Sequence, residues 1–136
     1  MTRQAIETNG APAPVGPYSQ AIAEGDLVFC SGQVGLDPAT GELVDGLEAQ
    51  AERALRNLAA VLDAAGLGWA DVVKTTIFLT DIGDFATVNA IYGRLMPDPA
   101  PARSTIGVAG LPKGALVEVE AIARRSVADA VSDRRI

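Results

Sequence analysis

Apolar positions recur along this chain with two different periods, and together they predict a sheet with two helices. Between Leu47 and Ala65 they return every three or four residues, which predicts an amphipathic helix capped by Gly66. A second helix is predicted from about Asp84 to Leu95. The predicted strands are Gln4 to Glu7, a hairpin of Gln20 to Ala23 and Leu27 to Ser31 that ends at Gly32, then Val72 to Thr80, Arg103 to Val108 and Ala115 to Arg124.

This order of elements favours an α+β fold in which one mixed sheet carries both helices on the same face. The other face of the sheet also has apolar residues, and no predicted element remains to cover it. We therefore expect the chain to associate with copies of itself. One domain is expected over residues 1–126, and residues 127–136 are expected to form a frayed C-terminal extension.

Composition narrows the possible chemistry. The chain has 136 residues, no histidine and one cysteine, so no zinc or iron-sulfur ligand set of Cys and His can form. The net charge is −6 and the eleven basic residues are scattered, which disfavours nucleic-acid binding. No apolar run approaches the roughly 20 residues that span a bilayer, and the N-terminus lacks the apolar core of a signal peptide. We expect a cytoplasmic protein with no membrane partner.

Arg103 is the first candidate for a functional residue. It follows Pro101, where a stiff segment becomes a strand, so its planar set of donors can be held toward a carboxylate. The alternative is a surface arginine that pairs with a nearby acid, which is the more common case. No Ser-His pair, Cys-His pair or phosphate-binding loop competes with it.

Two glutamates in the last predicted strand could supply acid-base chemistry. Glu118 and Glu120 point to one face because side chains alternate along a strand, and Ile122 continues that face. Glu120 then lies between an acidic and an apolar end, where desolvation can raise a carboxyl pKa toward neutrality. The alternative is a solvated pair on an edge strand.

Other polar residues have both a structural and a functional interpretation. Asn89 falls on the predicted core-facing stripe of the second helix, where its amide must bind either backbone, the default, or a ligand. Tyr18 follows a rigid Gly-Pro turn and is either a core-rim residue or part of a site. Ser31 ends a strand where a hydroxyl can face a cavity, whereas Cys30 is expected to be a small buried apolar residue.

Six short segments stand in a recognisable order along the chain. They are Gly16-Pro17-Tyr18-Ser19-Gln20, Ser31-Gly32-Gln33, Val73-Lys74-Thr75-Thr76, Asp84-Phe85-Ala86-Thr87-Val88-Asn89, Pro101-Ala102-Arg103-Ser104 and Glu118-Val119-Glu120-Ala121-Ile122-Ala123. In this order and at this spacing they resemble the Rid (reactive intermediate deaminase, or YjgF) family. The resemblance extends from near residue 9 to about residue 125, and six motifs at compatible spacing are specific although each alone is weak.

The resemblance implies a chorismate-mutase-like fold, a homotrimer with ligand clefts between subunits, and no cofactor. It implies hydrolysis of 2-imino acids and 2-aminoacrylate-type enamines, released by pyridoxal-phosphate dehydratases, to 2-keto acids and ammonia. Carried over by position, Arg103 grips the substrate carboxylate and Glu120 orients or deprotonates the attacking water. Tyr18, Ser31 and Asn89 line the cleft, and Thr105 contributes its backbone amide.

The chain departs from the family pattern in three places. Thr105 stands where many members have cysteine, Ala100 replaces an aromatic residue often found before the Pro-x-Arg-Ser motif, and the connection through residues 96–101 is short. Thr105 and the short connection motivate a second hypothesis, a non-catalytic or regulatory binder of small keto or amino acids. A third reading, an endoribonuclease or translation inhibitor, is disfavoured by the acidic charge and by the lack of histidine.

Overall fold

The computed structural model describes residues 3–126, so the predicted extension at residues 127–136 lies outside the described residues. One six-stranded sheet is packed against two helices. The strands are β1 (Gln4–Ile6), β2 (Ala21–Glu24), β3 (Leu27–Val34), β4 (Val72–Leu79), β5 (Ala102–Gly107) and β6 (Val117–Arg124), and the helices are α1 (Leu47–Ala64) and α2 (Phe85–Gly93). The predicted α+β architecture with a mixed sheet is therefore confirmed.

The strand order is β1-β2-β3-β6-β4-β5, with β4 and β5 parallel and every other neighbouring pair antiparallel. Because the last strand inserts between β3 and β4, residues far apart in sequence become neighbours. Burial alternates strictly along β6, as the pleat requires. We call the two sides the helix face, which carries Thr75, Ile77, Val119 and Ala121, and the open face, which carries Thr76, Glu118, Glu120 and Ile122.

Helix α1 covers the middle of the sheet and ends where its sequence predicts. Leu58, Val61 and Leu62 are fully buried against the helix face. At the C-terminus Gly66 adopts φ 77°, and its N–H donates to the Asp63 carbonyl while the Leu67 N–H donates to the Leu62 carbonyl. This pair of bonds is the Schellman arrangement, which needs a residue that tolerates positive φ. The predicted Gly66 cap is confirmed.

Two buried polar side chains attach α1 to the sheet. Asn57, with no exposed surface, donates from Nδ2 to the carbonyls of Val34 (3.2 Å) and Leu36 (2.9 Å). Gln50 accepts at Oε1 from the Leu116 N–H at 2.8 Å, just before β6. Loss of these hydrogen bonds would leave a buried amide unpaired and lower the free energy of unfolding. The helix is therefore held in one position on the sheet.

The prediction that Gly32 ends its strand is wrong. Strand β3 continues to Val34, with a register shift between Cys30 and Gln33 in its pairing with β6. One extra residue at this bulge changes which side chains face outward without ending the ladder, and a period-two pattern cannot show it. The bulge residues are Ser31 and Gly32.

The open face carries exposed apolar side chains, as expected from the sequence. Phe29 is 44% exposed, Val73 47% and Ile106 43%. No helix within residues 3–126 is both long and apolar enough to cross a membrane. Exposed aromatic and β-branched side chains grouped on one sheet face are typical of a surface that contacts another molecule.

Candidate functional site

Arg103 lies on β5 and is held by residues of α2. Its Nη1 donates to Asn89 Oδ1 at 2.8 Å. The guanidinium carbon lies 4.9 Å from the centre of the Tyr92 ring and 5.5 Å from that of Phe85. Within residues 3–126, Arg103 forms no ion pair with a carboxylate. A stacked, half-buried guanidinium without a carboxylate partner can accept an anionic ligand.

The expected environment of Asn89 is corrected by the structure. Asn89 is exposed rather than core-facing, and its partner is the Arg103 side chain rather than backbone. The stripe on α2 is rotated so that Val88, Ile91 and Tyr92 are buried, while Phe85 stays 40% exposed. Asn89 therefore belongs to the surroundings of Arg103, consistent with the functional interpretation.

Thr105 lies two residues beyond Arg103 on the same strand and the same face. It is half-buried and is aligned with Ile77 of β4, just as Arg103 is aligned with Thr75. The parallel pairing therefore places Arg103 and Thr105 together on the helix face at the edge of the sheet, with Asn89 beside them.

Glu120 lies on the open face, opposite the bulge of β3. Its partner on β4 is Thr76, and on the β3 side it falls between the pairs Cys30–Ala121 and Gln33–Val119. Ser31 and Gly32 therefore flank Glu120 across the ladder. The Ser31 hydroxyl donates to the Ser19 carbonyl at 2.6 Å, which leaves its oxygen able to accept a bond.

Tyr18 stands beside this group on a well-anchored loop. Buried Gln20 accepts at Oε1 from the Thr8 N–H at 2.7 Å, and its Nε2 donates to the carbonyls of Thr8 and Pro12. These bonds fold the Pro-rich segment against the sheet. Tyr18 itself is 54% exposed, so its ring is available for contact rather than part of the core rim.

A cleft of about 490 Å³ opens along this side of the molecule. Its lining includes Tyr18, Ser31, Gly32, Lys113 and Glu118. Burial raises the pKa of Glu118 above its ordinary value, and the nearby negative charge of Glu120 raises it further. Glu118 lies two residues before Glu120 on the same strand and the same face.

Glu118 is desolvated because it lies directly against Gly32. A methyl group added at Gly32 would collide with Glu118 Oε2. The bulge thus has a glycine where the carboxylate needs room, and the loop that carries Lys113 forms another wall of the cleft. No sequence spacing shows this contact, because it depends on β6 pairing with β3.

The candidate residues therefore form two groups on opposite sides of the sheet. Arg103, Asn89 and Thr105 lie on the helix face near β5, whereas Glu120, Ser31 and Tyr18 lie on the open face. One protomer does not bring Arg103 and Glu120 together.

Sequence reasoning missed the two aromatic side chains that hold Arg103. Phe85 and Tyr92 are separated from Asn89 by four and three residues, so all three share one side of α2. That spacing was a usable signal. The spacing alone could not show that β5 packs beside α2 or that Arg103 contacts these side chains.

Cys30 has the environment that was expected for it. It is buried in the core cluster, and burial raises the pKa of its thiol to about 11.

Among residues 3–126 no group of His, Cys, Asp and Glu side chains is arranged to hold a metal ion.

Comparison with known proteins shows which family this chain belongs to. The family model described as Endoribonuclease L-PSP matches residues 8–125. The chain belongs to this family, which is also called the Rid, YjgF or RutC family. A mouse protein named 2-iminobutanoate/2-iminopropanoate deaminase is 50% identical over 124 residues, which cover 90% of this chain and 92% of the mouse protein.

Two solved structures of this Rid family have the same fold. RidA from an Antarctic Psychrobacter has a TM-score of 0.87 at 48% identity, covering 89% of this chain and 98% of its own. Escherichia coli TdcF, solved with bound serine, has a TM-score of 0.85 at 44% identity, covering 90% and 99%. The agreement extends over nearly all of the described residues.

Proposed function

We propose that this chain is a hydrolytic deaminase that converts 2-imino acids and their enamine tautomers to 2-keto acids and ammonia. The name of the mouse relative supports this reaction class, and the serine bound to TdcF supports a small ligand that carries a carboxylate. The observation that carries the proposal is the Arg103 guanidinium, stacked on two rings, bonded to Asn89 and without a carboxylate partner among the described residues.

Arg103 binds the substrate carboxylate in this proposal. A guanidinium presents parallel N–H donors that match the two oxygens of a carboxylate, and each charge-assisted bond contributes about 1.5–3 kcal/mol in a sheltered site. With the carboxylate held, the adjacent imine carbon has a defined position. The backbone amide of Thr105, on the same strand, is a further donor toward the ligand.

Glu120 acts on the attacking water. Water adds to the carbon of the protonated C=N group as Glu120 accepts one of the water protons, and Glu120 then gives that proton to the nitrogen of the carbinolamine. The C–N bond breaks with its electron pair going to nitrogen, the hydroxyl proton passes to Glu120 and the C=O bond forms, so one water is consumed for each ammonia released. The imine carbon is already electrophilic, so positioning and proton transfer are sufficient without histidine.

The site is completed by a second copy of the chain, in a homotrimer. Arg103 and Glu120 lie on opposite faces of one sheet, while Phe29, Val73 and Ile106 leave the open face apolar and exposed. A neighbouring subunit that covers this face removes apolar surface from water. In the proposed trimer, the sheet edge of the neighbour that carries its Arg103 lies close to Tyr18, Ser31 and Glu120. The cleft between subunits is then lined by both groups of residues.

The test couples the purified protein to a pyridoxal-phosphate threonine or serine dehydratase. Imine released by the dehydratase is trapped with semicarbazide, which competes with hydrolysis, and the semicarbazone is followed by absorbance. We expect added protein to lower semicarbazone formation in proportion to its concentration while keto acid is still produced. Unchanged trapping at protein concentrations above that of the dehydratase contradicts the proposal. Unchanged trapping together with saturable 2-oxobutanoate binding favours the non-catalytic binder.

A further inference from the structure

The contacts of Arg103 with α2 are unequal in burial. Phe85 is 40% exposed and Asn89 is also exposed, so solvent reaches both side chains in the protomer. Tyr92 is 5% exposed and belongs to the core cluster. Of these three contacts, Tyr92 is the one whose position is determined by the interior of the protein.

The Tyr92 hydroxyl is bonded to a buried residue of the sheet. Its oxygen lies 2.6 Å from Thr75 Oγ1, and Thr75 has no exposed surface. Thr75 is also the residue of β4 that is aligned with Arg103 in the parallel pair β4–β5. Strand β4, helix α2 and strand β5 therefore meet at a chain of contacts from Thr75 through Tyr92 to Arg103.

A buried tyrosine needs a partner for its hydroxyl, so the bond to Thr75 alone would be ordinary. The face of the same ring, however, lies 4.9 Å from the Arg103 guanidinium carbon. A cation at that distance is attracted to the ring face, which favours particular directions of the guanidinium plane. The hydroxyl bond to Thr75 fixes where the far end of the ring lies, and burial of Tyr92 restricts the other movements of its side chain.

We infer that Tyr92 is a positioning residue, anchored on Thr75, that sets the direction in which Arg103 presents its donors. Tyr92 does not touch the substrate; it acts through Arg103. The inference rests on the proposed role of Arg103 in binding a carboxylate. It adds to that role the residue that holds the guanidinium in a fixed direction. A guanidinium that is already held in position loses less conformational entropy when a ligand binds. It therefore binds a carboxylate more tightly than a mobile guanidinium does.

The primary test uses Tyr92→Leu, Tyr92→Phe and Thr75→Val. We expect Tyr92→Leu to weaken 2-oxobutanoate binding about tenfold, equivalent to about 1.4 kcal/mol. Tyr92→Phe keeps the ring face but loses the bond to Thr75, so we expect it to bind more weakly than wild type and more tightly than Tyr92→Leu. The double variant Tyr92→Phe/Thr75→Val should bind no more weakly than Tyr92→Phe, because both changes remove the same bond. In imine hydrolysis the effect should appear in KM more than in kcat.

The matched control is Val88→Ala, a buried aliphatic position on the same helix that has neither a hydrogen-bonding group nor a ring to offer Arg103. It removes core packing and lowers stability, so it reports what general loosening of α2 does to binding. We expect 2-oxobutanoate binding by Val88→Ala to stay within about twofold of wild type under conditions where the protein is folded. Equal losses in Val88→Ala and Tyr92→Leu would overturn the inference.

A ligand-free readout separates this inference from the proposed reaction. Nitrogen-15 relaxation of the Arg103 Nε–H reports the order of the guanidinium on the picosecond to nanosecond timescale. We expect a lower order parameter in Tyr92→Leu and an unchanged one in Val88→Ala. An unchanged value in Tyr92→Leu would refute the positioning role even if imines are hydrolysed. A lowered value in a protein without hydrolysis would support it and refute the deaminase.

Discussion

Arg103 owes its direction to α2 rather than to its own strand. The rings of Phe85 and Tyr92 and the amide of Asn89 surround a guanidinium that projects from the edge of the sheet. Arginine is suited to this setting because it stacks on aromatic faces and keeps several donors free at the same time. A lysine at this position would supply charge without the planar fork.

We therefore expect Arg103→Lys to lower kcat/KM for imine hydrolysis by about 10- to 100-fold, the equivalent of one charge-assisted hydrogen bond. The assay is the semicarbazide competition with a coupled dehydratase. Arg94→Lys is the matched control, because Arg94 is exposed at the end of the same helix. Arg103→Lys hydrolysing imines as fast as Arg94→Lys would remove Arg103 from its assigned role.

The half-buried carboxyl group of Glu118 should make the free energy of unfolding depend on pH. Its pKa is raised in the folded protein, so the fold favours the protonated form and loses stability as pH rises above about 4.5, where the unfolded carboxyl ionises. Glu118→Gln removes this titration. We expect the variant to gain stability relative to wild type at pH 7, and to gain less or nothing at pH 4.

Urea unfolding at one fixed protein concentration measures this difference. Glu24→Gln is the control, because Glu24 is an exposed carboxylate on β2 and its removal changes net charge equally. A relative stability of Glu118→Gln that is the same at both pH values, or that follows Glu24→Gln, would show that burial of Glu118 has no energetic effect.

Among the elements, helix α1 passes very close to Gly35, the residue that follows β3. A methyl group at Gly35 would lie 2.6 Å from the Cα of Gln50 and 2.7 Å from its carbonyl oxygen. The obstacle is helix backbone rather than a flexible side chain, so it cannot move aside cheaply. The same helix is bonded to the sheet through Gln50 and Asn57, which limits how it can shift.

We expect Gly35→Ala to lower the free energy of unfolding by about 1–3 kcal/mol, the usual cost of overpacking. Gly93→Ala, in α2, has open space around the added methyl group and should be neutral or stabilising by up to about 1 kcal/mol. Urea denaturation of both variants beside wild type makes the comparison. A Gly35→Ala protein as stable as Gly93→Ala would mean that α1 can move away from β3.

Local patterns predicted most elements within a few residues. Helix α1 was expected from Leu47 to Ala65 and is found at Leu47–Ala64, because one apolar stripe and one glycine cap determine both limits. The bulge in β3 was missed, since an extra residue leaves no periodic signal. The partner of Asn89 was also missed, because β5 reaches α2 only through the parallel pairing with β4.

In the molecule as a whole, the strand order determines which candidate residues lie on the same face of the sheet. Insertion of β6 between β3 and β4 places Glu120 beside the bulge, and α2 holds Arg103 on the other face. The sequence motifs name both residues but do not show that a sheet separates them. Side-chain direction depends on strand pairing, which is non-local, so this division could only be seen in the folded structure.

We propose that a working site takes Arg103 from one subunit and Glu120 from its neighbour. The direct measurement co-expresses Arg103→Ala and Glu120→Ala chains with different affinity tags and purifies the mixed oligomers by both tags. Each parent protein should be inactive in imine hydrolysis. In a mixed cyclic trimer one site of three has both native groups, so we expect about a third of wild-type activity. Mixed oligomers as inactive as their parents would contradict the account.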